Sequence, residues 1–192
     1  MAYNIKDVFY LDVTMTMPTG SAAGTSNTAQ LDLSAYIDPI ARGRSKGTGL
    51  AIYKVHYAVS GTSEGYRPAN LTESGVFRGG IIAGAGLGNQ AGATLTGEAN
   101  APSPQNSLTV QGFDFYGPQS TIANASVPSP LNVTFCEPSE DVPYVVVRDN
   151  VCAVATMDVA MDVASYVMFR LECAQVTLDQ ATLNQLLRTQ TV

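Results

Sequence analysis

An alternation of period two constrains this chain more than any other feature. Between Phe9 and Met17 the apolar side chains fall on Phe9, Leu11, Val13, Met15 and Met17, while Tyr10, Asp12, Thr14 and Thr16 take the other parity. Successive side chains of a strand point to opposite faces, so the pattern predicts a half-buried β-strand and does not suit a helix. Pro18-Thr-Gly ends it. A Gly/Ser/Thr/Asn stretch, Thr19–Thr28, reads as a loop, and Leu31, Leu33, Ala35 and Ile37 then alternate again as far as Asp38-Pro39. In Leu50–Val59 the same rule puts Tyr53, Val55, Tyr57 and Val59 on one face and Lys54, His56 and Ala58 on the other.

Further strands are expected around Val76–Ala83, near Ala93–Thr96, and over Ser107–Tyr116, Leu131–Cys136, Tyr144–Val147, Val151–Ala160 and Ser165–Val176. Turn residues and proline separate them. Helix is expected only at about 177–190, where Thr177-Leu-Asp-Gln180 reads as a capping box and Leu183, Leu186 and Leu187 form an apolar stripe. The short one near Ala93–Thr96 is left open; the reading is eight or nine strands, and the fold class is all-β: an antiparallel β-sandwich with a short C-terminal helix. The length, 192 residues, suits one domain over 1–192, with a long Gly/Ala-rich loop region at about 61–106. Long loops usually carry contacts, so that region is expected to meet something else.

Catalytic equipment is sparse. Gly61-Thr-Ser-Glu-Gly65 has the G-x-S-x-G form, but a nucleophile elbow needs a helix after the serine and a later histidine. Tyr66-Arg-Pro-Ala discourages that helix, and the one histidine, His56, precedes Ser63. Without an imidazole to take the hydroxyl proton there is no general base. One histidine and three widely spaced cysteines (Cys136, Cys152, Cys173) offer no close set of zinc ligands, and no D-x-D-x-D-G loop offers calcium its oxygens. Reduced, buried thiols are the expectation. Gly84-Ala-Gly86-Leu-Gly88 has neither the spacing nor the βαβ setting of a dinucleotide loop. No enzyme activity, cofactor, metal or small-molecule substrate is expected.

Charge decides the remaining classes. Ten basic against sixteen acidic residues leave a net charge of -6, and only Lys6 is basic before Arg42, so direct nucleic-acid binding is not expected. No secretory signal and no apolar span of membrane length is visible. Only 14% of residues are charged, against about 25% in ordinary domains. A monomer of this mass exposes about 8,800 Å², so each charge serves roughly 340 Å², about twice the usual spacing. Such an exterior suits burial by neighbours. Candidate interface residues are the basic cluster Arg42, Arg44 and Lys46, the acidic loop Glu137, Glu140 and Asp141, and the helix residues Leu183 and Leu187; Asp158 and Asp162 add an acidic face.

An acidic, charge-poor β-domain of this strand count and loop length resembles the single jelly-roll capsid proteins of icosahedral viruses. The comparison is closest with the upright jelly rolls of tailless viruses that enclose a membrane under the shell. The resemblance covers about residues 8–176 and is architectural, resting on no diagnostic motif. It implies eight strands in two four-stranded sheets and copies that assemble into capsomers and then an icosahedral virion shell. The implied partners are other copies, a second capsid protein and an internal membrane. The implied location is the virion, after synthesis in the host cytoplasm. The alternative reading is a β-sandwich binding module, recognising carbohydrate or a cell surface in the manner of a tail or spike domain. It would use aromatics such as Tyr66, Phe113, Phe115 and Tyr116.

Overall fold

The computed structural model describes residues 7–17, 23–38, 46–61, 65, 75–84, 87–94, 101–117, 131–159 and 164–190. Ten strands and one helix follow in order. They are β1 (Val8–Met17), β2 (Thr25–Asp32), β3 (Lys46–Ser60), β4 (Val76–Ala83), β5 (Gln90–Thr94), β6 (Thr109–Tyr116), β7 (Leu131–Phe135), β8 (Tyr144–Val146), β9 (Asn150–Val159), β10 (Ser165–Asp179) and α1 (Gln180–Thr189).

One sheet has the order β1-β10-β3-β8 and the other β5-β2-β9-β4-β6-β7, with antiparallel neighbours throughout. Setting aside the flanking strands β5 and β7, the chain crosses between the sheets at every connection but β4 to β6. The orders β1-β10-β3-β8 and β2-β9-β4-β6 make an eight-stranded jelly roll, two Greek keys closed into a sandwich. The fold is thus the expected sandwich with a short terminal helix, enlarged by two flanking strands.

The two sheets bury one apolar layer between them. It includes Met15 and Met17 of β1, Leu50 and Ile52 of β3, Phe77 and Ile81 of β4, Ala153 and Met157 of β9, and Phe169 and Leu171 of β10. Phe113 of β6 lies at its centre, stacked on Tyr57 at 4.1 Å and edge-on to Phe77 at 5.8 Å. Gly79 makes room for it. A Cβ there would lie 2.7 Å from the Phe113 ring, so any larger residue would push the ring out.

Three expectations need correction. The strand expected over Leu31–Ile37 ends at Asp32, and residues 34–36 are a turn in which the Ser34 N–H donates to the Asp32 carboxylate at 2.8 Å. The strand begins instead at Thr25, inside the expected loop. Its polar residues are buried through hydrogen bonds: Ser26 Oγ meets Thr156 Oγ1 at 2.8 Å, and Thr28 Oγ1 donates to the Gly88 carbonyl at 3.0 Å. Tyr53 does not share a face with Val55. The register between β3 and β10 shifts between Glu172 and Cys173, leaving Tyr53 as the extra residue of a bulge. Tyr53 therefore packs with Ala51 and Ala174, while Ile52 and Val55 enter the main core. The helix starts later than expected, because β10 continues pairing with β3 as far as Asp179 opposite Lys46. Asp179 is its N-cap, accepting from the Thr182 N–H at 2.7 Å.

Candidate functional site: an open sheet edge and its cleft

β8 has three residues and β3 has fifteen. β8 pairs only Leu50, Ala51 and Ile52 of β3. The connection between β7 and β8 lies beside β3 beyond that point. A cleft of about 500 Å³ results. Its first wall is β3 from Tyr53 to Tyr57, its second is Glu137 to Glu140, and Gln111 and Thr134 of the opposite sheet lie between them.

The charges in the cleft are unequal. Glu137, Glu140 and Glu172 face Lys54 and His56. His56 Nε2 lies 3.6 Å from Glu172 Oε2 across the β3–β10 pair, half exposed. Burial, and then the charge of Glu137, raises the Tyr57 hydroxyl above the ordinary tyrosine pKa. Gln111 is only 6% exposed and lines the cleft.

A second cavity, of about 750 Å³, opens on the outer face of the other sheet. Arg78 of β4 donates to Asp114 of β6 through Nε at 2.6 Å and Nη2 at 2.8 Å, and its guanidinium lies 5.2 Å from the Phe135 ring centre. Phe135 lies over Gly112, where a Cβ would come within 2.2 Å of the ring. Tyr116, Thr156, Asp158 and Asn106 are among the other residues that line the cavity. Two of the aromatics proposed for sugar contact are unavailable: Phe113 is 0% and Phe115 3% exposed, because both point into the core. Tyr116 is exposed at the cavity rim, and Tyr66 lies outside the described residues.

The expected interface residues separate in space. Glu137, Glu140 and Asp141 are exposed in the β7–β8 connection, and the first two line the cleft. Lys46 is exposed at the far end of β3, next to Asp179, whose carboxyl is held below its usual pKa first by the Thr182 N–H and in smaller part by Lys46. Arg42 and Arg44 lie outside the described residues, as do Ser63 and Asp162. Leu183 is fully buried in its own chain, so it serves internal packing; Leu187 is partly buried. Sequence reasoning missed the cleft; its signal was the mismatch between the ten-residue stretch Leu50–Val59 and the four-residue apolar run Tyr144–Val147.

No helix among the described residues is long and apolar enough to cross a membrane, and no group of three metal-ligating side chains occurs among them. No family model and no curated protein matches the sequence. Solved structures resemble it in architecture. VP1 of Trichodysplasia spinulosa-associated polyomavirus, in complex with sialylated precision glycooligomers, aligns at a TM-score of 0.48 and 11% identity over 93% of this chain and 97% of that one. The VP1 pentamer of Human Polyomavirus 6 aligns at 0.45 and 12%, over 93% and 98%. Merkel Cell Polyomavirus VP1 in complex with disialyllactose aligns at 0.42 and 11%, over 93% and 98%. The jelly-roll assignment for this chain rests on its own strand order.

Proposed function

We propose that this chain is a structural shell protein, a single jelly-roll capsid subunit that associates with copies of itself. The observation that carries the reading is its thinly charged exterior. A folded monomer of its mass exposes about 8,800 Å², over which ten basic and sixteen acidic side chains leave roughly 340 Å² each. Part of even that charge is internally compensated: Arg78 is taken by Asp114, and Arg170 donates to Asp12 at 2.7 Å. Little desolvation therefore opposes close approach of another copy. Weak contacts repeated by closed symmetry then hold a particle that no single contact would hold.

The virion location and the capsomer stage belong to this proposal, as do a second capsid protein and an underlying membrane as further partners. The interface is proposed to use the β7–β8 connection, the Arg42–Lys46 segment and the region of α1. The 61–106 region, which contributes β4 and β5 to the sandwich, is proposed to carry loop contacts as part of one domain.

The cavity beside Arg78 and Tyr116 favours a second reading, a binding module for a polar ligand such as a carbohydrate. Electron microscopy of the purified chain beside a glycan array separates the two. Ring-shaped capsomers or shells are expected. Isolated 20 kDa particles that bind glycans would replace the first reading with the second.

A further inference from the structure

We propose that α1 and Gln190 form a strap that caps the outer edge of β8, and that lifting it lets β8 pair with β8 of a second copy across a two-fold axis. The inference deepens the shell reading, on which it rests for the identity of the partner.

The strap is fastened at two points. Leu183 is the fully buried side chain of the helix, with Leu186 and Leu187 half-buried beside it. Seven residues on, and so on the same face, Gln190 is 4% exposed. The Val147 N–H donates to its Oε1 at 3.1 Å, and its Nε2 donates to the Val145 carbonyl at 2.7 Å. Arg148 Nε donates to its backbone carbonyl at 3.1 Å. A helix of ten residues is marginal without such ties, so losing one of them frees the whole element.

β8 is the last strand of the first sheet and pairs β3 with Val146 opposite Leu50. Backbone groups of alternate residues address the same side of a strand, so Val145 and Val147 both face the outer edge, where Gln190 meets them. These two groups are complementary to themselves. When two copies of β8 run antiparallel with Val146 opposite Val146, each Val147 N–H meets the partner's Val145 carbonyl. The Gln190 carboxamide therefore holds the donor and the acceptor that a second β8 would take, and the two occupants exclude each other. The paired arrangement is isologous and joins two four-stranded sheets into one. It supplies one of the weak, repeated contacts from which a closed shell is built.

Gln190→Ala removes the cap and leaves the strand. Sedimentation equilibrium reads self-association, and hydrogen exchange followed by NMR reads the Val147 amide. In dilute wild type that amide is expected to be protected. In dilute Gln190→Ala it is expected to exchange about tenfold faster or more, and self-association to tighten by about tenfold. Where the variant associates, the Val147 amide is expected to regain protection, which contact at another surface would not cause. Ile81→Val in the β4 core is the control, expected to lower Tm and leave association unchanged. Given a wild type that associates, three results each overturn the strap and leave the shell reading standing. They are a Gln190→Ala variant that associates no more tightly, a control that tightens association equally, and a Val147 amide still unprotected in the assembled variant. Wild type that stays monomeric while Gln190→Ala pairs supports the strap and overturns the shell reading. Wild type and variant that both stay monomeric overturn the two together.

Discussion

Gln190 shows how one side chain can decide the fate of a sheet edge. It is 4% exposed and follows the last turn of α1. Its Oε1 accepts from the Val147 N–H at 3.1 Å, and its Nε2 donates to the Val145 carbonyl at 2.7 Å. The carboxamide therefore occupies the outer edge of β8 as a peptide group of a further strand would, and blocks pairing there. Gln190→Ala leaves two backbone groups short of partners and is expected to cost about 1–3 kcal/mol, read as a lower Tm. Gln190→Glu, with a carboxylate facing the Val145 carbonyl, is expected to cost at least as much at neutral pH.

Two buried thiols and the half-buried Tyr144 set the alkaline limit. Burial pushes Tyr144 up to about 12, Cys152 to about 11 and Cys173 to about 12. All three are neutral when protonated, so the folded state binds protons that the unfolded chain releases first, from about pH 9 upward. Their contribution is complete below that point and is lost as pH rises towards about 12. Denaturant midpoints are expected to hold level to about pH 9 and fall beyond it. At neutral pH, exposed Cys136 is expected to react with a thiol reagent well before Cys152 and Cys173, which become reactive on unfolding.

The helix and its neighbouring strands make the case at the scale of elements. α1 packs on β10 and β3 through fully buried Leu183, and its first turn is tied to Asp179. Asp179→Ala is expected to cost about 1 kcal/mol and Leu183→Ala about 2–5 kcal/mol, measured by denaturant unfolding. The depressed Asp179 pKa gives the acid counterpart. The cap is fully effective above the ordinary carboxylate pKa and is lost as pH falls through the lower folded value, so helix content is expected to drop only in strong acid.

How legible each element was follows from what its residues do. β1 and β4 lie close to where their patterns put them, because their core-facing residues are apolar. β2 was unreadable because Ser26, Asn27 and Thr28 are buried through hydrogen bonds, and burial of that kind has no apolar signature. The face of Tyr53 was misread because one bulged residue inverts the parity. The acidic and basic clusters were visible as charge patterns. That Glu137 and Glu140 would face β3 across a cleft, with Lys46 far along the same strand, depends on register, which no local pattern carries.

Over the whole molecule one outer edge is covered by a side chain rather than a strand: β8, the last strand of the first sheet, is met by Gln190 and itself pairs β3 only from Leu50 to Ile52. On the outer face of the other sheet, Ile82, Leu108, Cys152 and Val154 form a second fully packed layer with Leu87. Along the outer side of the first, Tyr10 is 55% exposed beneath the Arg170 guanidinium, with Asp12 and Thr14 beside it. On the proposed shell reading, so thinly charged an exterior favours association with further copies.

Sedimentation velocity over a wide range of protein and salt concentration tests that claim most directly. Discrete species at whole multiples of 20.2 kDa, growing with concentration towards a ring or shell, are the result this account requires. A single 20.2 kDa species throughout would contradict it.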